Sequence, residues 1–150
     1  MVNGLREDEV NQASVKKEIC AMAVVLFNDK ILTTNEIIYE REILSLPKGH
    51  KEKNENIIKT AIRECFEETN IVLCESDLVK KLPPYSYEFL APNKILIKKT
   101  VYPFLFRVYS GGNPLNKEKR ITMVQWMNVE EFLEKCPHES VKKTVKEALK

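Results

Sequence analysis

One segment constrains this chain more than any other. Between Glu55 and Thr69, the apolar residues Ile57, Ile58, Ala61, Ile62, Cys65 and Phe66 recur at helical spacing. That period predicts a helix with one continuous apolar stripe, and the rest of the chain must supply a surface to cover it. Asn54 offers a side chain that can cap a helix starting near Glu55. Asn70 suits the left-handed residue that ends many helices. On the same helix Glu64, Glu67 and Glu68 fall within roughly 60° of arc, and like charges so spaced destabilise an isolated helix by roughly 0.2–0.5 kcal/mol per pair. Two explanations are open: a solvated acidic face, or a face that holds a cation.

The surface that covers the stripe reads as a sheet. "ICAMAVVLF" (Ile19 to Phe27) is a strand that stops at the turn "NDK", and "ILTTNEIIY" resumes as its hairpin partner. "LPKGH" breaks the pattern with Pro47 and Gly49. "DLVKKLPPYSYEFLA" and "NKILIKKTVYPFLFRVYS" read as strands, "GGNP" as a turn and "ITMVQWMNV" as a further strand. "EEFLEKC" and "ESVKKTVKEALK" read as terminal helices. This order implies an α/β fold, a mixed sheet with flanking helices. At 150 residues the expected organisation is a single domain over 1–150, with residues 1–17, polar and mixed in charge, as a flexible N-terminal arm.

Composition excludes several classes of partner. A formal charge of +2 is too mild for a duplex nucleic-acid binder. The Ile19–Phe27 run is too short to cross a bilayer and lies too far along the chain for a signal peptide, so the expected location is the cytoplasm, with no membrane partner. Cys20, Cys65, Cys74 and Cys136 form no CxxC pair and, with His50 and His138, complete no zinc spacing. They read as reduced, mostly buried thiols.

The wider pattern around the glutamates decides between the two explanations. From Gly49, five residues lead to Glu55 and seven more to Arg63. Then follow Glu64, Cys65, one residue, Glu67, Glu68, one residue, Asn70 and Ile71. For a chain of this composition, one Gly, one Arg and four Glu at those spacings arise by chance on the order of 3 times in 100,000. The segment resembles the signature box of the Nudix hydrolases, GX5EX7REUXEEXGU, where U is a bulky apolar residue. It departs at two positions: Cys65 is smaller than the usual aliphatic, and Asn70 replaces the final Gly. The likeness continues more loosely to "QWMNVEEFL", which is similar to the family's Trp-containing strand and following helix.

The resemblance implies a Nudix-type α/β/α sandwich and hydrolysis of a nucleoside diphosphate linked to another group. By that likeness Glu64, Glu67 and Glu68 bind Mg²⁺ or Mn²⁺, with the backbone of Lys48 or Gly49 and a later carboxylate, Glu118, completing the set. Hydrolysing a polyphosphate requires neutralised oxygens and a base for the water's proton, and metals on clustered carboxylates supply both. Glu64 is the first choice for the base, with Glu67 and Arg63 beside it in the catalytic set and Glu55 orienting them. Lys48, His50, Tyr85, Tyr87, Lys98 and Lys99 are the expected substrate contacts. "PKGH", with Lys48 where many relatives have Gly, is similar to the branch that cuts dinucleoside polyphosphates such as diadenosine tetraphosphate, and to the diphosphoinositol-polyphosphate branch. Lys98 and Lys99 alternate faces, so only one can reach a site, while Tyr85, Tyr87 and Phe89 can stack a base or face a core. Leu44 and Val124 stand where relatives in that branch carry aromatic residues. The alternatives are a house-cleaning hydrolase of modified nucleoside triphosphates, a Nudix-like module that binds nucleotide without cutting it, and a structural α/β protein.

Overall fold

The computed structural model describes residues 15–150. The expected N-terminal arm lies largely outside those residues, and its last three, Val15–Lys17, already belong to a strand. Eight strands follow one another around three helices: β1 (Val15–Phe27), β2 (Lys30–Ile38), β3 (Arg41–Ser45), β4 (Lys48–His50), β5 (Leu78–Lys81), β6 (Tyr85–Leu90), β7 (Leu96–Arg107) and β8 (Ile121–Asn128). Helix α1 (Ile57–Thr69) lies between β4 and β5, and α2 (Val129–Lys135) and α3 (Glu139–Ala148) close the chain.

The sheet is mixed. β1 runs parallel to β7 from Val15↔Leu96 to Leu26↔Arg107, and the remaining pairings are antiparallel. The order β3-β2-β1-β7-β5 carries β8 on β2, β4 on β1 and β6 on β7. Cys20 through Leu26 are all buried, because both faces of β1 are covered. Cys20, Met22, Val24 and Leu26 join one core with Phe132, Val141 and Val145 of α2 and α3. Ala21, Ala23 and Val25 join a second core with Ala61 and Cys65 of α1. Each fully buried Val, Leu, Ile, Phe or Met stabilises the fold by roughly 1.5–3 kcal/mol. The result is an α/β/α sandwich with α1 on one face and α2 with α3 on the other.

Three local expectations are corrected. The cap of α1 is Asn56, whose Oδ1 accepts from the Ile58 N–H at 2.9 Å, whereas Asn54 sits in the preceding loop at φ 64°. "PKGH" is not a break: Lys48–His50 pairs with Cys20–Met22, and hydrogen bonds from Ala23 N to Pro47 O and from Lys51 N to Ile19 O extend the ladder. Pro47 is tolerated because it stands just before the strand, where its carbonyl is used and no N–H is needed. The Tyr85 strand is interrupted at Pro83 and Pro84, so β5 and β6 pair with successive halves of β7. Cys20, Cys65 and Cys136 are buried free thiols and Cys74 is an exposed one.

Candidate active site and its carboxylate cluster

Helix α1 presents its glutamates to β4 and to the loop before β8. One carboxylate oxygen each from Glu64, Glu67 and Glu118 lies within 4.8 Å of the others. At an effective dielectric near 20, each such pair of like charges repels by about 3 kcal/mol, so the cluster needs cations. Arg63 supplies one. Its Nη1 donates to Glu64 at 2.9 Å and to Glu67 at 3.0 Å, its Nε to Glu55 at 2.7 Å, and its Nη2 to the His50 carbonyl at 2.9 Å. Arg120 supplies another, donating to Glu118 at 3.0 Å.

Ionisation follows from these contacts. The hydrogen bond from Arg63 holds Glu55 well below the usual carboxylate range, at about 2, helped by the Glu52 N–H and the Thr60 hydroxyl and opposed by burial. Burial raises Glu64, against the pull of Arg63, and burial also raises Glu118. A carboxylate raised by its surroundings is a better proton acceptor, which is the property a base for water requires.

Glu68 stands apart from this cluster. It is 1% exposed, accepts from the Lys48 N–H at 3.2 Å and meets Arg120 at 2.6 Å. Burial pushes its carboxyl up to about 8, against the pull of the Lys48 N–H and ammonium. Arg120 also pairs with the buried Glu36, which Lys48 Nζ approaches at 3.7 Å. Neither Glu36 nor Arg120 is among the residues expected from the sequence. A charge inside the apolar "ILTTNEIIY" strand, at the bulge between Asn35 and Glu36, is the signal that marks Glu36. Arg120, in the run "NKEKR", carries no such mark.

A cleft of about 820 Å³ opens beside the cluster. Gly49 connects the two, since it lines the cleft and packs against Glu64: a Cβ there would sit 2.0 Å from Glu64 Cδ. Lys48, His50, Lys99 and Arg120 line the cleft together with Tyr85, Tyr87 and Phe89. The three rings stack along β6 with centroids 6.3 and 6.0 Å apart. Lys99 reaches Glu18 at 3.8 Å and the Phe89 ring at 5.6 Å, while Lys98 takes the opposite face, exposed and away from the cleft lining. His50 Nε2 lies 3.0 Å from Glu18. Hydrogen bonding to Cys20 and Glu18 outweighs burial and raises the imidazole to about 9.

Residues 17–149 match the NUDIX domain family. The chain belongs to that family. It is 34% identical over 92 residues to mutator protein MutT4 of Mycobacterium tuberculosis, a match covering 61% of this chain. The chain spans only about a third of that relative, 35% of its length. It is 24% identical over 119 residues to the phosphatase NudJ of Escherichia coli K12, covering 79% of this chain and 73% of NudJ. The same fold occurs in a C. elegans Ap4A hydrolase in a binary complex, with a TM-score of 0.67 and 18% identity over 87% of this chain and 93% of that one. Nudix hydrolases use divalent metals, and the Glu64, Glu67 and Glu118 oxygens fit that chemistry. They are hard anionic donors on a rigid helix and a pinned loop, and Gly49 leaves open the space that the Glu64 carboxylate fills. No helix among the described residues is long and apolar enough to cross a membrane.

Proposed function

We propose that this Nudix hydrolase cleaves a phosphoanhydride bond in a nucleotide with several phosphates, foremost a dinucleoside polyphosphate such as diadenosine tetraphosphate. One observation carries the reading: a single cleft next to the carboxylate cluster is lined by four cations, Lys48, His50, Lys99 and Arg120, and by the Tyr85–Tyr87–Phe89 ladder. Cations along the wall match a long polyphosphate, and stacked rings match a base. The C. elegans Ap4A hydrolase that shares this fold is in keeping with the same reading.

Glu64, Glu67 and Glu118 would hold Mg²⁺ or Mn²⁺, with Glu68 supporting the backbone of Lys48 beside them. Bound there, such an ion supplies charge neutralisation and an acidified water. The residues' own parts are distinct. Glu64, raised by burial, takes the water's proton. Arg63 fixes Glu64 and Glu67 in one geometry, and Glu55 fixes Arg63. Lys48, Lys99 and His50 bind phosphate oxygens, and Tyr87, 39% exposed, offers its face to a base.

The test is a panel of diadenosine tetraphosphate, ordinary and oxidised nucleoside triphosphates, ADP-ribose and diphosphoinositol phosphates, with Mg²⁺ and with Mn²⁺ and products separated by chromatography. The expected result is ATP plus AMP from the dinucleotide. Pyrophosphate plus monophosphate from triphosphates alone would replace the substrate with a house-cleaning one. Silence across the panel, with retained nucleotide binding, would make the chain a binding module.

A further inference from the structure

The box of this chain ends in Asn70 where the family signature has Gly, and the difference has a structural use. The backbone role of the position is met by the main chain: Asn70 is left-handed at φ 67° and ψ 8°, and its N–H closes the helix on the Phe66 carbonyl at 2.9 Å. Gly would serve that role with less strain. The side chain does something Gly cannot. Its Nδ2 donates to the carbonyl of Asn113 at 3.0 Å, 43 residues along the chain.

That bond is one of three ties between the last turn of α1 and a single loop. The Leu115 N–H donates to the Thr69 carbonyl at 2.9 Å, and Lys117 Nζ lies 3.5 Å from the centroid of the Phe66 ring. The loop from Val108 to Arg120 has no regular helix or strand; these ties fix its middle, while Asn116 Nδ2 on the Ile121 carbonyl at 3.3 Å and Arg120 on Glu118 at 3.0 Å hold its end. Its start is held separately, by the Trp126 indole N–H on the Gly111 carbonyl at 2.7 Å. The residue that follows the tied stretch is Glu118, the third carboxylate of the cluster and the only one of the three that α1 does not carry.

We propose that the Asn70 side chain is a positioning residue for cation binding: it fastens the 108–120 loop to the end of the box helix and so presets Glu118 against Glu64 and Glu67. This rests on reading those three carboxylates as the metal site. A ligand carried on a loop must be ordered before it can bind, and a loop already ordered by the fold does not lose that freedom on binding. Asn70 thereby couples the end of the helix that bears two ligands to the segment that bears the third.

The experiment measures Mn²⁺ affinity of the full chain without substrate, by the fraction of free ion seen in electron paramagnetic resonance. Wild type, N70G, E118Q and the double variant are compared, with hydrogen exchange across residues 108–120. N70G permits the same left-handed backbone and removes the side chain that makes the bond. The expected outcome is Mn²⁺ binding weakened about 3- to 10-fold in N70G and at least as much in E118Q, with N70G adding under about 2-fold on the E118Q background. The Leu115 amide in N70G should exchange faster than in wild type. Unchanged affinity in N70G beside a weakened E118Q would overturn the role of Asn70 alone. Full additivity would overturn it too, because a merely stabilising Asn70 would act independently of Glu118. Wild-type affinity in E118Q would instead overturn Glu118 as a ligand, and the proposal with it.

Discussion

A Cβ on Gly49 would meet Glu64 at 2.0 Å from Cδ and 2.2 Å from Oε2, so alanine there must drive the carboxylate aside. The three nearest atoms all end one flexible side chain. The G49A variant should therefore keep its fold, with Tm lowered by about 3 °C or less, while Mn²⁺ affinity falls about 10- to 100-fold. Calorimetry and ion binding on the same sample check both halves. Glu67→Gln preserves shape and removes charge at a carboxylate that Arg63 already orients. Its kcat should fall about 10²- to 10⁴-fold with Tm held, and turnover at the wild-type rate would remove Glu67 from the machinery. The three box glutamates were legible in the sequence because helical spacing alone brings them to one face. That Glu68 separates from the other two was not, since it depends on Lys48 and Arg120, which arrive from β4 and from the loop before β8.

At the level of elements, α1 was legible because its stripe, its left-handed end and its charges are all local properties. Its start lies two residues later than the local signals imply, since Asn54 and Asn56 are both suited to cap a helix and only the packed loop selects Asn56. β3 and β4 are not legible in the sequence for a different reason: each is short, and its identity comes from the partner strand that it pairs with. The Glu55–Arg63 bridge shows how α1 is braced to the segment before it, and it carries a pH signature. Glu55 titrates near 2 in the fold, below the ordinary value of 4.5. The stabilisation it gives is thus full above about pH 4.5 and fades as pH falls towards 2. Glu55→Gln should cost about 2 kcal/mol at pH 7, from the lost charge-assisted hydrogen bonds. The gap to wild type should close progressively between about pH 4.5 and 2. Urea unfolding at a series of pH values measures it, and a gap that stays constant across that window would refute the assignment.

Across the whole molecule, the sheet's two cores explain why the site is rigid where it matters. The Cys20–Leu26 stretch is covered on both faces, so β4, which pairs with it, holds Gly49 and His50 at fixed height beside α1. The cleft is then bounded by strands from both halves of the sheet, with β6 contributing rings and β2 contributing Glu36. A ligand spanning that cleft links β2, β4 and β6, and its binding energy must appear as global stability, because it binds the folded chain alone. With Mg²⁺ and a non-hydrolysable dinucleoside tetraphosphate at 100 times its Kd, stability should rise by about 2.7 kcal/mol. For a chain of 150 residues this corresponds to a Tm increase of about 5–11 °C. The same analogue without Mg²⁺ should give a smaller shift, since the carboxylate cluster then repels the phosphates that the ion would otherwise bridge. A triphosphate analogue at equal concentration should also shift Tm less, because it offers one base and a shorter chain to a wall of four cations and three rings. Equal shifts from the two nucleotides would remove the preference for a dinucleotide. No shift from either would mean that neither nucleotide binds the folded chain, and the cations and rings that line the cleft would need another explanation.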